Sequence, residues 1–289
     1  DQQAKHGVEG FAASLHNTVI LPYLVRHGTE EQKKKYLPKL VSGELVSAIA
    51  MTEPGVGSDL QSITTTALKD GNGYRINGAK TYISNGQTAD FIIVVAKTDP
   101  NERAKGISLM LLETEGAEGF QRGKKLDKVG MDAADTSELF FDDVFVPAEN
   151  VLGGEEGKGF YQLMGELPQE RLIIAMGAMT GIEKALEVTM EFVKNRKAFG
   201  QTIWDFQNTQ FVLADLNARG TAARVFVNDC IAKHLKGELD VPTACMAKYW
   251  VTELQGEVVD KCLQLHGGAG YINDYPIARM FRDSRITRI

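Results

Sequence analysis

The sequence predicts an α+β chain in three successive parts: helical, then antiparallel β, then helical. Three observations carry that reading. Residues 1–44 place apolar side chains at helical spacing, residues 45 to about 152 alternate with a period of two between turn dipeptides, and helical spacing returns from Phe160 onward. The domains are accordingly set at 1–44, 45–155 and 156–289. With 289 residues, 43% apolar and 24% charged, the chain can bury a large core and has the composition of ordinary globular domains.

In the first part, Thr29-Glu30-Glu31-Gln32 reads as a capping box, Tyr36, Leu37 and Leu40 share one face, and Ser42-Gly43 closes the helix. The β part opens on the apolar run 45–50. Tyr74, Ile76 and residues 81–84 flank Asn77-Gly78, a dipeptide that predicts a tight hairpin turn, and 91–96, 107–112 and 139–146 supply further strands. Residues 153–159 form a polar, glycine-rich connector. Beyond it, Ile182, Leu186 and Val193, then Phe211, Leu213 and Leu216, mark apolar helix faces.

Several function classes are disfavoured by composition. A net charge of −6 argues against general nucleic-acid binding, although Lys124-Lys125 could still meet a phosphate. Cys230, Cys245 and Cys262 are odd in number and form no C-x-x-C pair, which disfavours a disulfide framework or zinc site and fits a reducing compartment. The five histidines offer no H-E-x-x-H spacing, so no metal is expected. The run 91–96 is far shorter than the ~20 residues of a membrane helix. No strand is followed by G-x-G-x-x-G, so any nucleotide is held without a Rossmann unit. Asp1 is no initiator and no signal-peptide pattern follows it.

The most informative stretch is Met51-Thr52-Glu53-Pro54-Gly55-Val56-Gly57-Ser58-Asp59, directly behind the first apolar strand. Its glycines permit close backbone approach, Pro54 stiffens the entry, and Thr52, Ser58 and Asp59 offer polar groups to a ligand. Alone, the pattern also describes an ordinary Pro-Gly turn. In order there follow Thr81-Tyr82-Ile83-Ser84-Asn85-Gly86, Arg196-Lys197-Ala198-Phe199-Gly200 and Gln264-Leu265-His266-Gly267-Gly268. This ordered set resembles the acyl-CoA dehydrogenase family over essentially the whole chain. Glu166-Leu167-Pro168-Gln169-Glu170-Arg171-Leu172, Ala244-Cys245-Met246-Ala247-Lys248-Tyr249-Trp250 and Gly159-Phe160-Tyr161 are similar to its long-chain branch.

The resemblance implies a central β barrel and a C-terminal four-helix bundle. It also implies FAD as cofactor and dehydrogenation of a fatty acyl-CoA to the trans-2-enoyl-CoA in β-oxidation. An acyl-CoA oxidase or flavin monooxygenase on the same fold is the alternative, with a non-enzymatic helical scaffold more remote. By position, Ile49, Met51, Thr52, Gly57 and Ser58 would line the flavin, with Tyr82, Ile83 and Ser84 as a second wall. Arg196, Phe199, Gln207, Gln264, Leu265, His266, Gly267 and Gly268 would serve the FAD of a neighbouring subunit. Ser58, Tyr161, Pro168 and Arg171 would meet acyl-CoA. Glu170 would be the base, although residue chemistry alone equally suits Pro168, Gln169 and Glu170 to a helix's first turn, and other relatives place the base at a position that would fall beyond Ile289. The implied partners are an electron-transferring flavoprotein and further copies of this chain, as a dimer of dimers. The implied compartment is the cytoplasm in a bacterium or the mitochondrial matrix in a eukaryote. Compared with the family, the chain is expected to start inside the N-terminal helical domain and to stop early.

Overall fold

A computed structural model describes residue 10 and residues 12–289, which divide into two compact units: 10–127 with 133–167, and 128–132 with 168–289.

In the first unit a π-helical stretch, Leu15–Ile20, leads into helix α1 (Leu21–His27), followed by α2 (Glu30–Ser42). The capping box forms as its residues predict: the Thr29 hydroxyl accepts from Gln32 N at 3.2 Å and the Gln32 side chain accepts from Thr29 N at 3.0 Å. Gly43 closes α2 at φ 78°, a left-handed conformation that glycine adopts without a Cβ clash. Gln32 is buried and does more than cap. Its Nε2 donates to the carbonyls of Glu149 and Val151, and its Oε1 accepts from Gly153 N, tying α2 to the connector.

Seven strands form one sheet: β1 (Ser47–Ala50), β2 (Thr66–Asp70), β3 (Gly73–Ser84), β4 (Phe91–Lys97), β5 (Ile107–Glu113), β6 (Phe120–Lys125) and β7 (Thr136–Pro147), in the order β1-β4-β2-β3-β7-β6 with β5 also on β4. The expectation of a purely antiparallel domain is corrected here. β1 lies parallel to β4 from Ser47↔Phe91 to Ala50↔Val94, and β2 touches β4 in parallel at Thr66↔Lys97. The reason lies in β4, whose residues are apolar on both faces. Ile92, Val94 and Ala96 join one core with Ile76 and Val144, while Phe91, Ile93 and Val95 join another with Tyr23, Tyr36 and Leu40 of the helices. Among the described residues no pairing joins β6 to β1 or β5, so the sheet is open and mixed rather than a closed barrel.

A second correction concerns Asn77-Gly78. The dipeptide lies inside β3, and the hairpin is turned instead by Gly71-Asn72 between Asp70 and Gly73. Gly78 uses its freedom for a bulge: it stands at φ 151° where the β3–β7 register shifts, and a Cβ there would lie 2.5 Å from Thr65 Oγ1.

The second unit is helical. It holds most of α3 (Gly159–Asn195), a hairpin of β8 (Lys197–Ala198) and β9 (Gln201–Thr202), α4 (Gln207–Leu235), α5 (Val241–His266) and the nine-residue α6 (Pro276–Ser284). Asp240 caps α5 by accepting from Thr243 N at 2.7 Å. The four helices share one core, in which Ala175, Met179 and Ile182 meet Leu216, Val227, Val251, Val258 and Ile277.

Candidate active site

The loop after β1 is shaped by its own backbone. Glu53 N donates to Val56 O at 2.9 Å and Val56 N returns to Glu53 O at 3.1 Å, which closes a turn with Pro54 and Gly55 at its corner. A Cβ at Gly55 or Gly57 would meet nothing within 4 Å, and Ser58 and Asp59 are exposed, so the tip faces open space. Ile49 and Met51 are half-buried against the core shared with the helices. Thr52 is half-buried, and its carbonyl accepts from Thr81 N at 2.9 Å. That bond sets the loop beside the segment that carries Tyr82.

Between Lys80 and Ile83 the β3–β7 register shifts, and Tyr82 adopts φ 60°, costly for a residue with a Cβ. The strained backbone turns the ring outward, leaving Tyr82 68% exposed, while Ile83 is buried and Ser84 exposed. A strained aromatic held away from the core beside a half-buried hydroxyl suits a flat, partly polar ring. The donor set thus fits a flavin. The first unit therefore brings together Ile49, Met51, Thr52, Gly57 and Ser58 with Tyr82, Ile83 and Ser84.

Two neighbours escaped the sequence reading. The fully buried Lys80 donates from Nζ to Met51 O at 3.0 Å and to Glu53 Oε1 at 2.9 Å. Glu53 also accepts from Thr65 N, Thr64 N and Thr64 Oγ1 at 3.0, 2.7 and 2.7 Å. Burial alone would push the Glu53 carboxyl up, but the Lys80 charge and these hydrogen bonds bring it down to about 2. Burial likewise pulls Lys80 down to about 8, against the opposing pull of Glu53.

Helix α3 carries the acidic candidates. Pro168, Gln169 and Glu170 lie well inside it rather than in its first turn, so the N-terminal dipole does not account for Glu170. Glu170 and Arg171 are half-buried. Leu172, two residues beyond Glu170 and so about 200° around the helix, is buried in the helical core. One turn before Glu170, Glu166 is buried and engaged by Arg26 Nη1 at 2.6 Å and His27 Nε2 at 3.0 Å. Tyr161, near the start of α3, is exposed and stands edge-on to Phe160.

At the far end of α3, Arg196 is exposed and Phe199-Gly200 makes the tip of the β8–β9 hairpin. Phe199 is 94% exposed at φ 53° and makes a T-shaped ring pair with Phe206, the residue before the exposed Gln207. Arg196, Phe199 and Gln207 are thus gathered around one hairpin. Gln264, Leu265, His266, Gly267 and Gly268 end α5. The His266 ring turns inward: its Nδ1 lies 2.8 Å from Cys262 O and it stacks on Phe192, while burial lowers its pKa. That side chain is committed to packing, so a ligand at this turn would meet the exposed Gln264 and the backbone of Gly267 and Gly268.

Among the described residues, no three His, Cys, Asp or Glu converge as a metal site, and no helix is long and apolar enough to cross a membrane.

Comparison with known proteins gives a consistent result. Family models described as the acyl-CoA dehydrogenase N-terminal, middle and C-terminal domains match residues 2–44, 48–144 and 157–289. The mitochondrial long-chain specific acyl-CoA dehydrogenase of Mus musculus is 48% identical across 100% of this chain and 67% of its own length. Mitochondrial isovaleryl-CoA dehydrogenase of Oryza sativa is 41% identical over 98% of this chain and 69% of its own. Among solved structures, an acyl-CoA dehydrogenase from Geobacillus kaustophilus superposes with a TM-score of 0.93 at 44% identity, covering 100% of this chain and 84% of that one. Butyryl-CoA dehydrogenase from Megasphaera elsdenii gives 0.92 at 40% identity, with 97% and 73% covered. The chain belongs to the acyl-CoA dehydrogenase family.

Proposed function

We infer that this protein is an FAD-dependent acyl-CoA dehydrogenase that converts a fatty acyl-CoA, of long chain by preference, to the trans-2-enoyl-CoA in β-oxidation. The observation that carries the reading is the loop from Met51 to Ser58 docked through the Thr52–Thr81 bond beside an outward-facing Tyr82, in a chain of this family. FAD, when bound there, supplies the acceptor for the hydride leaving the β-carbon.

The remaining work falls to the chain's own residues. Glu170, partly withdrawn from water on α3, takes the α-proton onto its carboxylate. Thr52, Ser84 and nearby backbone groups orient the ring by hydrogen bonding, and Tyr82 offers it a wall. Ser58, Tyr161, Pro168 and Arg171 border the thioester substrate. Arg196, Phe199, Gln207 and the turn at residues 264–268 serve the cofactor of a second copy, which implies a homotetramer built as a dimer of dimers. The C-terminal helices correspond to the family's four-helix bundle. Electrons pass on to an electron-transferring flavoprotein, in the mitochondrial matrix if the source is eukaryotic.

Glu170→Gln tests the assignment, since it keeps size and hydrogen-bonding reach while removing the base. Anaerobic mixing of the holoenzyme with palmitoyl-CoA is expected to bleach the flavin band at least ~100-fold more slowly than in wild type, with FAD and acyl-CoA still bound. Near wild-type bleaching by the variant would remove Glu170 from the chemistry.

A further inference from the structure

Lys80 is an unusual occupant of a strand interior. Its side chain is fully buried, a position that ordinarily costs several kcal/mol unless the charge is paired and hydrogen-bonded. The pairing here has a direction. Of the two acceptors of Nζ, one is the Glu53 carboxylate and the other is the backbone carbonyl of Met51, and both lie in the loop assigned to FAD. Thr52, between them, is held by Thr81 N, the neighbour of Lys80 on β3. Three consecutive loop residues are therefore attached to two consecutive strand residues. Glu53 extends the brace to the next segment, accepting from Thr64 and Thr65. Nothing about the sheet requires this arrangement, since a buried apolar residue at position 80 would fill the same strand site and spare the desolvation.

We propose that Lys80 is a positioning residue: with Glu53 as counter-charge, it fixes the Met51–Thr52 backbone at the height at which Thr52 meets the flavin, and so sets the affinity for FAD. The inference rests on the assignment of the loop to FAD. The Tyr82 backbone is coupled to the same device. Tyr82 stands two residues beyond Lys80, inside the register shift that begins at Lys80, so the anchored lysine ends the regular pairing from which the strained tyrosine departs. A loop whose height depends on one ammonium group would hold its ligand poorly once that group is gone, even in a folded protein.

The test compares FAD affinity with fold stability. Lys80→Met alone would strand a buried carboxylate, so the informative variant is Lys80→Met/Glu53→Gln, which removes both charges, keeps the length at position 53 and shortens position 80 by one atom. Full-length apoprotein of wild type and variant is titrated with FAD, followed by the quenching of flavin fluorescence, and melted with and without saturating FAD. The expected result is a variant apoprotein melting within a few degrees of wild type, a Kd for FAD raised at least tenfold, and a smaller rise in Tm on adding FAD. An unchanged Kd would make the pair a structural element only and overturn the proposal. A variant whose melting temperature falls equally with and without FAD would do the same. If wild-type apoprotein itself takes up no FAD, the assignment of the loop to FAD fails first, and the proposal falls with it.

Discussion

Glu166 and Glu170 stand one turn apart on α3, and Glu166→Gln tests whether Glu166 serves the structure while Glu170 is the base proposed above. Glu166 is 2% exposed and meets two partners, the Arg26 guanidinium at 2.6 Å and the His27 ring at 3.0 Å. A hydrogen bond to a charged group contributes about 1.5–3 kcal/mol, and removing one partner of a fully buried pair costs about 3–5 kcal/mol. Both figures need a discount here, because Arg26 is 44% and His27 27% exposed, and each can rehydrate when its partner is lost. Gln also keeps one oxygen to accept from Arg26, while its amide NH₂ turns toward His27. The net loss works out at about 2 kcal/mol, which in a chain of this size lowers Tm by ~3 °C. The assay is paired: differential scanning calorimetry of the holoenzyme, and rapid-reaction bleaching with palmitoyl-CoA. The expected outcome is a lower Tm with a bleaching rate within about threefold of wild type. A variant that melts like wild type yet reduces ~100-fold more slowly would refute the reasoning, because it would make Glu166 the base and leave Glu170 to the structure.

Two further outcomes follow from local geometry. Gly267 stands at φ 58° and ψ −137° with open space where a Cβ would go, so Gly267→Ala is expected to cost about 1–3 kcal/mol through backbone strain alone, whereas Gly268→Ala, with open space and no positive φ, should melt like wild type; equal melting of the two variants would exclude strain at the α5 turn. The buried pair should shape the pH dependence of stability: Glu53, lowered from 4.5 to about 2, contributes stability that is present above pH 4.5 and lost as pH falls toward 2, on the order of 3 kcal/mol. Lys80, lowered from 10.5 to about 8, carries its burial cost below pH 8, so stability rises between pH 8 and 10.5. Urea midpoints of wild type and Lys80→Met/Glu53→Gln across this range should diverge at both ends, and superimposable profiles would show that the pair does not titrate this way.

Much of the fold was legible because local chemistry and tertiary packing agree. The capping box at Thr29, the closing Gly43 and the connector before α3 are decided by groups within a few residues, and all appear where their residue types place them. The two misreadings come from features that local pattern leaves undetermined. Asn-Gly supplies a positive φ, and whether the chain spends it on a turn or a bulge depends on Thr65 and β7 across the sheet. Strand polarity is equally invisible in alternation: β4 is apolar on both faces, and a doubly buried strand accepts parallel neighbours as readily as antiparallel ones. β2 and β6 went unnamed because charged residues occupy most of their exposed positions, 68–70 and 121–125.

At the candidate site the legible part was the loop that a ligand would touch, and the illegible part was what holds it still. Glycines and hydroxyls announce a ligand edge by composition, whereas a buried lysine reads in sequence as one more strand charge. The only available signal was spacing: Lys80 precedes Tyr82 by two, the strand period, so an ordinary strand would have sent both side chains to the same face. The bulge between them breaks that rule, and its consequence is the opposite fates of the two residues, Lys80 fully buried and Tyr82 largely exposed. The same logic sorts the acids of α3. Glu166 and Glu170 differ little as sequence, and what fixes Glu166 is visible only in three dimensions: Arg26 and His27, about 140 residues upstream, close on it. The Glu166 carboxylate is buried with its oxygens engaged by these two donors, which ties it to α1. Glu170, one turn further on, lies on the same face of α3 by the helical period, and the Glu170→Gln measurement tests whether it is the base proposed above.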